Sequence, residues 1–119
     1  MALTTGGKDM ATTSPKELPV EWVSTDRLRE AFNDSQLWGK VQRGELRAEI
    51  RKSDHPRLLP ATELFCTMSQ YVVYTTREGQ FVAGVHQYVR KDGRLGASGM
   101  PDPKRLVLED RILAVRAEQ

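Results

Sequence analysis

The chain is 119 residues long, 39% hydrophobic and 29% charged, with a formal net charge of +2. That length holds one domain, which buries roughly two thirds of its unfolded surface and so builds a core without disulfide or metal staples. The charge balance neither demands nor excludes nucleic acid, because dedicated binders usually lie above a pI of about 9 with clustered cations, and the pI here is 8.8.

The single cysteine, Cys66, excludes an intrachain disulfide. It sits in the apolar run ELFCTMSQYVVY and reads as a small buried hydrophobe, with no base near it in sequence to make it a nucleophile. No stretch approaches the roughly 18 apolar residues of a membrane span, and the N-terminus lacks an apolar core of the secretory kind. The expected location is cytoplasmic, with no membrane partner.

Residues 1–19 are Thr, Gly, Ser, Pro and Lys with little apolar content, which predicts a disordered tail followed by a single domain over 20–119. Met10 opens a second plausible start, so residues 1–9 read as an upstream start or an appended segment. Order is expected from PVEWVSTDRLREAFND, where Ser24 or Thr25 caps a helix, Asp26 favours its first turn, and Val23, Leu28 and Phe32 share a face. DSQLWGKVQRGEL predicts a second short helix, capped by Asp34 or Ser35 and stopped at Gly44, with Leu37, Trp38 and Val41 as its buried stripe. Trp22 and Trp38 read as core or helix–sheet anchors.

ELRAEIRKSDHP alternates with period two, which predicts a short amphipathic strand, and Pro56 and Pro60 punctuate the loop after it. TELFCTMSQYVVYTT and QFVAGVHQYVR are rich in β-branched and aromatic residues and flank the turn signal REG, so they predict a hairpin. KRLVLEDRILAVR gives two shorter runs and a second hairpin. The expected fold is therefore α+β: two short N-terminal helices packed on one face of an antiparallel β-meander of about four to five strands.

Alternation sorts the central hairpin into two faces. With the turn centred on Glu78 and Gly79, Tyr71 opposes His86, Ser69 opposes Tyr88 and Thr67 opposes Arg90. Phe81, Ala83, Val85, Gln87 and Val89 then share a mostly apolar face with Cys66, Met68, Gln70, Val72 and Tyr74, which belongs against the helices. The reverse face collects Ser69, Tyr71, His86, Tyr88 and Arg90, with a gap at Gly84. Histidine is suited to proton transfer near neutral pH, arginine to phosphate oxygens, and tyrosine to hydrogen bonding or stacking. Downstream, Asp92-Gly93 marks a turn, and Gly96, Gly99, Pro101 and Pro103 punctuate a stretch of irregular chain. From Arg90 to Arg105 five cations and two aspartates give a local net charge of +3.

Two functions fit these residues. The first is a small binding or accessory protein that presents Tyr71, Arg90, Lys91, Arg94, Ser98, Lys104 and Arg105 to a protein or nucleic-acid partner. The second is a metal-independent ribonuclease with His86 as general base and Tyr88 and Arg90 beside it, an analogy of residue types with small bacterial ribonuclease toxins rather than a motif match. An ordinary solvated sheet face accounts for the same side chains without a site, and the case for His55 in its loop is weaker still. No cofactor is expected. Paired cysteines, HExxH and GxSxG are absent, so no metal site is expected either. A homodimer paired through a sheet edge is a further possibility. The sequence leaves the choice open.

Overall fold

The computed structural model describes residues 18–55, 67–96 and 99–116. The elements in chain order are β1 (Val20–Trp22), α1 (Thr25–Asp34), α2 (Leu37–Gln42), β2 (Arg47–Asp54), β3 (Met68–Thr75), β4 (Phe81–Val89), β5 (Asp102–Val107) and β6 (Ile112–Ala114). The disordered tail expected over residues 1–19 lies, as far as residue 17, outside the described residues, as do Cys66 and Ser98.

Helix α1 forms where its cap and its apolar spacing agree. The Ser24 hydroxyl accepts from the Arg27 N–H at 3.1 Å, Asp26 sits in the first turn, and Leu28 and Phe32 are buried one turn apart. Helix α2 is capped by neither Asp34 nor Ser35. Asp34 is the last residue of α1, and Ser35 donates its hydroxyl back to the Ala31 carbonyl at 2.8 Å. The chain instead turns at Gln36, which adopts φ of 55° in the left-handed region. Its N–H closes on the Asn33 carbonyl, and Leu37 follows as the buried residue of α2.

The described strands form one six-stranded sheet in the order β1-β6-β5-β4-β3-β2. This corrects the expectation of a four- to five-stranded antiparallel meander. Strands β2 to β6 do form an antiparallel meander, but β1 is added beside β6 and runs parallel to it, with Val20 opposite Ile112 and Trp22 opposite Ala114. The three residues of β1 are too few to show an alternating pattern, and their pairing depends on a partner at the far end of the chain.

The central hairpin takes the predicted register: Tyr71 opposes His86, Ser69 opposes Tyr88 and Val72 opposes Val85. One irregularity lies near the turn, where Thr75 pairs with Phe81 while Tyr74 pairs with Ala83, so that Val82 is an extra residue in β4. A second bulge falls in β5 at Lys104, between the pairs Gly84–Arg105 and Val85–Pro103. The core comprises Leu28, Phe32 and Leu37 from the helices with Val72, Tyr74, Ala83, Val85, Leu106 and Leu113 from the sheet. The inner face of the sheet is therefore the helix-bearing one, and His86 points to the other.

Candidate functional site

Strands β3 and β4 place Ser69, Tyr71, His86 and Tyr88 on the outer face, because each alternates with a residue committed to the core or to the inner side. Ser69, His86 and Tyr88 are held by one another, and Tyr71 is seated on Gly84. The Ser69 hydroxyl lies 2.6 Å from His86 Nε2, and the His86 and Tyr88 rings meet edge to face with centroids 4.8 Å apart. The gap expected at Gly84 is filled by Tyr71: a Cβ built on Gly84 would lie 2.8 Å from Tyr71 Cζ and closer still to its hydroxyl. Glycine is required there by a neighbouring ring rather than by backbone conformation.

The charges around His86 are arranged as a chain. Asp102 opposes it on β5, and the Asp102 carboxylate accepts from Arg29 Nε at 3.0 Å and from Lys104 Nζ at 3.1 Å. Burial pushes the Asp102 carboxyl up, but the hydrogen bonds and charges of Lys104 and Arg29 outweigh it and hold it below the usual carboxylate range. Burial lowers the His86 pKa, the Lys104 charge lowers it further, and Asp102 acts in the opposite direction. The balance holds His86 below the ordinary imidazole value, which favours its neutral form. Burial raises the Tyr71 hydroxyl, opposed by the charge of Arg105.

Residues 90–96 after β4 fold back on the strand. The Arg90 N–H donates to the Arg94 carbonyl and the Gly93 N–H returns to the Arg90 carbonyl, closing a tight turn over Lys91 and Asp92 with Gly93 at φ of 89°. Leu95 then bridges back to Val89, and the Gly96 N–H donates to the Tyr88 carbonyl at 2.8 Å. Arg94 is bound to Asp92, both through its own N–H and through its guanidinium at 2.9 Å. Lys91 and Arg105 are exposed. Arg90 begins the turn at the end of β4, on from Tyr88. His55 stands exposed just past β2.

The inner side carries a feature that the sequence reading passed over. A cleft of about 760 Å³ lies between α2, strands β2 to β4 and the turn after β4, and its lining includes Trp38, Ile50, Gln70, Gln87 and Arg94. Gln87 Nε2 donates to Gln70 Oε1 at 3.0 Å. The signal was present in the sequence: these glutamines are the polar positions in the otherwise apolar alternation of the two strands. Of the described residues nominated from sequence, only Arg94 reaches this cleft.

Among the described residues no three His, Cys, Asp or Glu side chains converge to hold a metal ion, and no helix is long and apolar enough to cross a membrane. The fold is mixed α+β. No family model, curated protein or solved structure matches the chain.

Proposed function

We propose that this protein is a binding or accessory module that offers the Ser69, Tyr71, His86 and Tyr88 face to a macromolecular partner, and that the partner is a protein. One observation carries the reading: the face is fixed before any partner arrives, by the Ser69–His86 hydrogen bond, the His86–Tyr88 edge contact and the seating of Tyr71 on Gly84. Side chains already immobilised lose little entropy on binding, and tyrosines contribute large contact areas. A polyanion is less well served. Arg94 is neutralised by Asp92, and Lys104 shares Asp102 with Arg29, so these cations have carboxylates in place of phosphates.

The test is affinity capture with the full chain as bait, followed by binding measurements with the purified partner. Tyr88→Ala and His86→Ala are expected to weaken that binding by about tenfold or more. A partner whose affinity ignores Tyr71, His86 and Tyr88 would overturn the proposal, as would a salt-dependent RNA gel shift governed by Lys91 and Arg105 with no protein partner.

A second reading, metal-independent ribonuclease activity, is favoured by the lowered pKa of His86, which supplies a neutral base. Under it His86 removes the ribose 2′-hydroxyl proton, and the 2′-oxygen bonds to phosphorus as the P–O5′ bond breaks to leave a 2′,3′-cyclic phosphate. The departing 5′-oxygen takes a proton from water, and Arg90 or Lys104 stabilises charge on the phosphate. It needs Ser69 to release Nε2, or a route through Nδ1. Cleavage of total RNA in the presence of EDTA, lost in His86→Ala, would establish it in place of the first reading.

A further inference from the structure

Among the described residues strand β2 is an edge of the sheet, paired with β3 on one side only, and all eight of its residues are exposed. A row of open backbone groups of that length is a template for another strand. Its side chains point to a specific occupant. Arg47 opposes Thr75 and Glu49 opposes Val73, and after the bulge at Arg51, Lys52 opposes Tyr71 and Asp54 opposes Ser69. Ala48, Ile50 and Ser53 oppose Tyr74, Val72 and Gln70 on the inner side. Strict alternation would have placed Arg51 and Ser53 with Arg47 and Glu49. The bulge shifts the phase, so the outer face of β2 reads Arg47, Glu49, Lys52, Asp54, with charges alternating plus, minus, plus, minus.

A strand that pairs antiparallel with its own copy does so about a two-fold axis perpendicular to the sheet, which keeps every side chain on its own face. With the axis between Ile50 and Arg51, Arg47 faces Asp54 of the second copy, Glu49 faces Lys52, and Ala48 faces Ser53. These three pairs match in face, with Ile50 opposite the bulge residue Arg51 at the axis, and each charged contact occurs twice. Moving the axis by one residue in one direction sets Glu49 against Asp54, and in the other direction Arg47 against Lys52, so both neighbouring registers meet like charges. Ile50, 55% exposed in the single chain, flanks the axis beside its own counterpart. Within one chain the ion pairs are Arg51–Glu49 at 2.9 Å and Lys52–Asp54 at 3.8 Å, between well-exposed side chains, and such pairs exchange partners at little cost.

We propose that β2 is the pairing edge of a homodimer, joined in the register that sets Arg47 against Asp54 and Glu49 against Lys52. Two six-stranded sheets then become one, and the two Tyr71 faces lie on the same side of it. This proposal stands apart from the partner-binding role of the outer face and is tested separately.

The full chain is followed by size exclusion with light scattering across a concentration series. The wild type is expected to dimerise. Glu49→Lys and Lys52→Glu, each of which creates two like-charge contacts, should each raise the dissociation constant by about tenfold or more. The double variant restores opposite charges and should return to within about threefold of wild type. As a check on register, a Cys66→Ser, Arg47→Cys chain mixed with a Cys66→Ser, Asp54→Cys chain should cross-link on oxidation to the mixed dimer in preference to either like pair. A wild type that stays monomeric, reversals without effect, a double swap that fails to recover, or cross-linking without preference overturns the proposal. The single variants are surface changes whose circular dichroism should match wild type, so weakened association is separable from failure to fold.

Discussion

The Tyr71 ring occupies the space above Gly84, one strand away, so tightly that a methyl group at position 84 would collide with the phenol. Tyr71 Cζ and its hydroxyl lie on the Cβ–Cγ axis, so spinning the ring does not relieve the contact and the whole ring must swing away. Gly84→Ala is expected to destabilise the fold by about 1–3 kcal/mol through this overpacking. Tyr71→Ala in the same chain should recover part of the loss, and a double-mutant cycle by urea denaturation should show coupling of about 1 kcal/mol. Additive effects would mean the two residues do not meet.

The charges flanking His86 make opposite predictions. Lys104→Met removes a cation that lowers the imidazole pKa and should raise it, whereas Asp102→Asn removes the opposing carboxylate and should lower it. A titration followed by the NMR signal of the His86 ring reads both shifts directly. Shifts of the same sign in the two variants would contradict the arrangement.

Stability should follow the same group. In the unfolded chain His86 takes up its proton near its ordinary value of 6.5, and in the fold it does so only at lower pH. Its contribution is therefore complete above about pH 6.5 and is lost as pH falls through the folded-state value, because the unfolded chain binds the proton more readily. Denaturation midpoints measured from pH 8 to pH 5 should fall more steeply for the wild type than for His86→Gln. Parallel curves would show that burial of His86 carries no cost to its charged form.

Tyr74 is 1% exposed and packs against Phe32 with ring centroids 6.2 Å apart, yet its hydroxyl has no hydrogen-bond partner among the described residues. Burial alone pushes its pKa far upward. A buried hydroxyl without a partner costs free energy that phenylalanine would not. Tyr74→Phe should stabilise the protein by about 1 kcal/mol, visible as a higher Tm. A loss of stability would show that the hydroxyl is bonded in solution.

Legibility in the sequence followed the range of the interactions. The β3–β4 register was readable because the turn at Glu78 and Gly79 is local and because Val72, Tyr74, Ala83 and Val85 alternate with Tyr71, Gly84 and His86. Helix α1 was readable from Ser24, Leu28 and Phe32. What escaped notice depends on distant partners. Val20 to Trp22 become a strand only by lying beside Ile112 to Ala114. Gln36 takes a left-handed turn that its side chain does not announce, which displaced the expected cap of α2. The bulges at Val82, Arg51 and Lys104 are set by strand pairing and leave no residue signature. Within the candidate site, residue types and faces were visible, but not the contacts that hold them. The Ser69–His86 bond is diagonal to the strand pairing, the tie of Asp102 to Arg29 crosses from β5 to α1, and its tie to Lys104 is made within β5 at the bulge.

The parallel pairing of Val20 to Trp22 with Ile112 to Ala114 also orders events in time. That ladder cannot close until nearly the whole described chain has emerged and the meander has organised, so it should form late in refolding. It consists of three residues and is pinned at the surface by Arg111, which reaches Glu21 at 2.7 Å. The amides of this border strand should exchange with deuterium well before those of Val72 and Val85, because opening there releases little else.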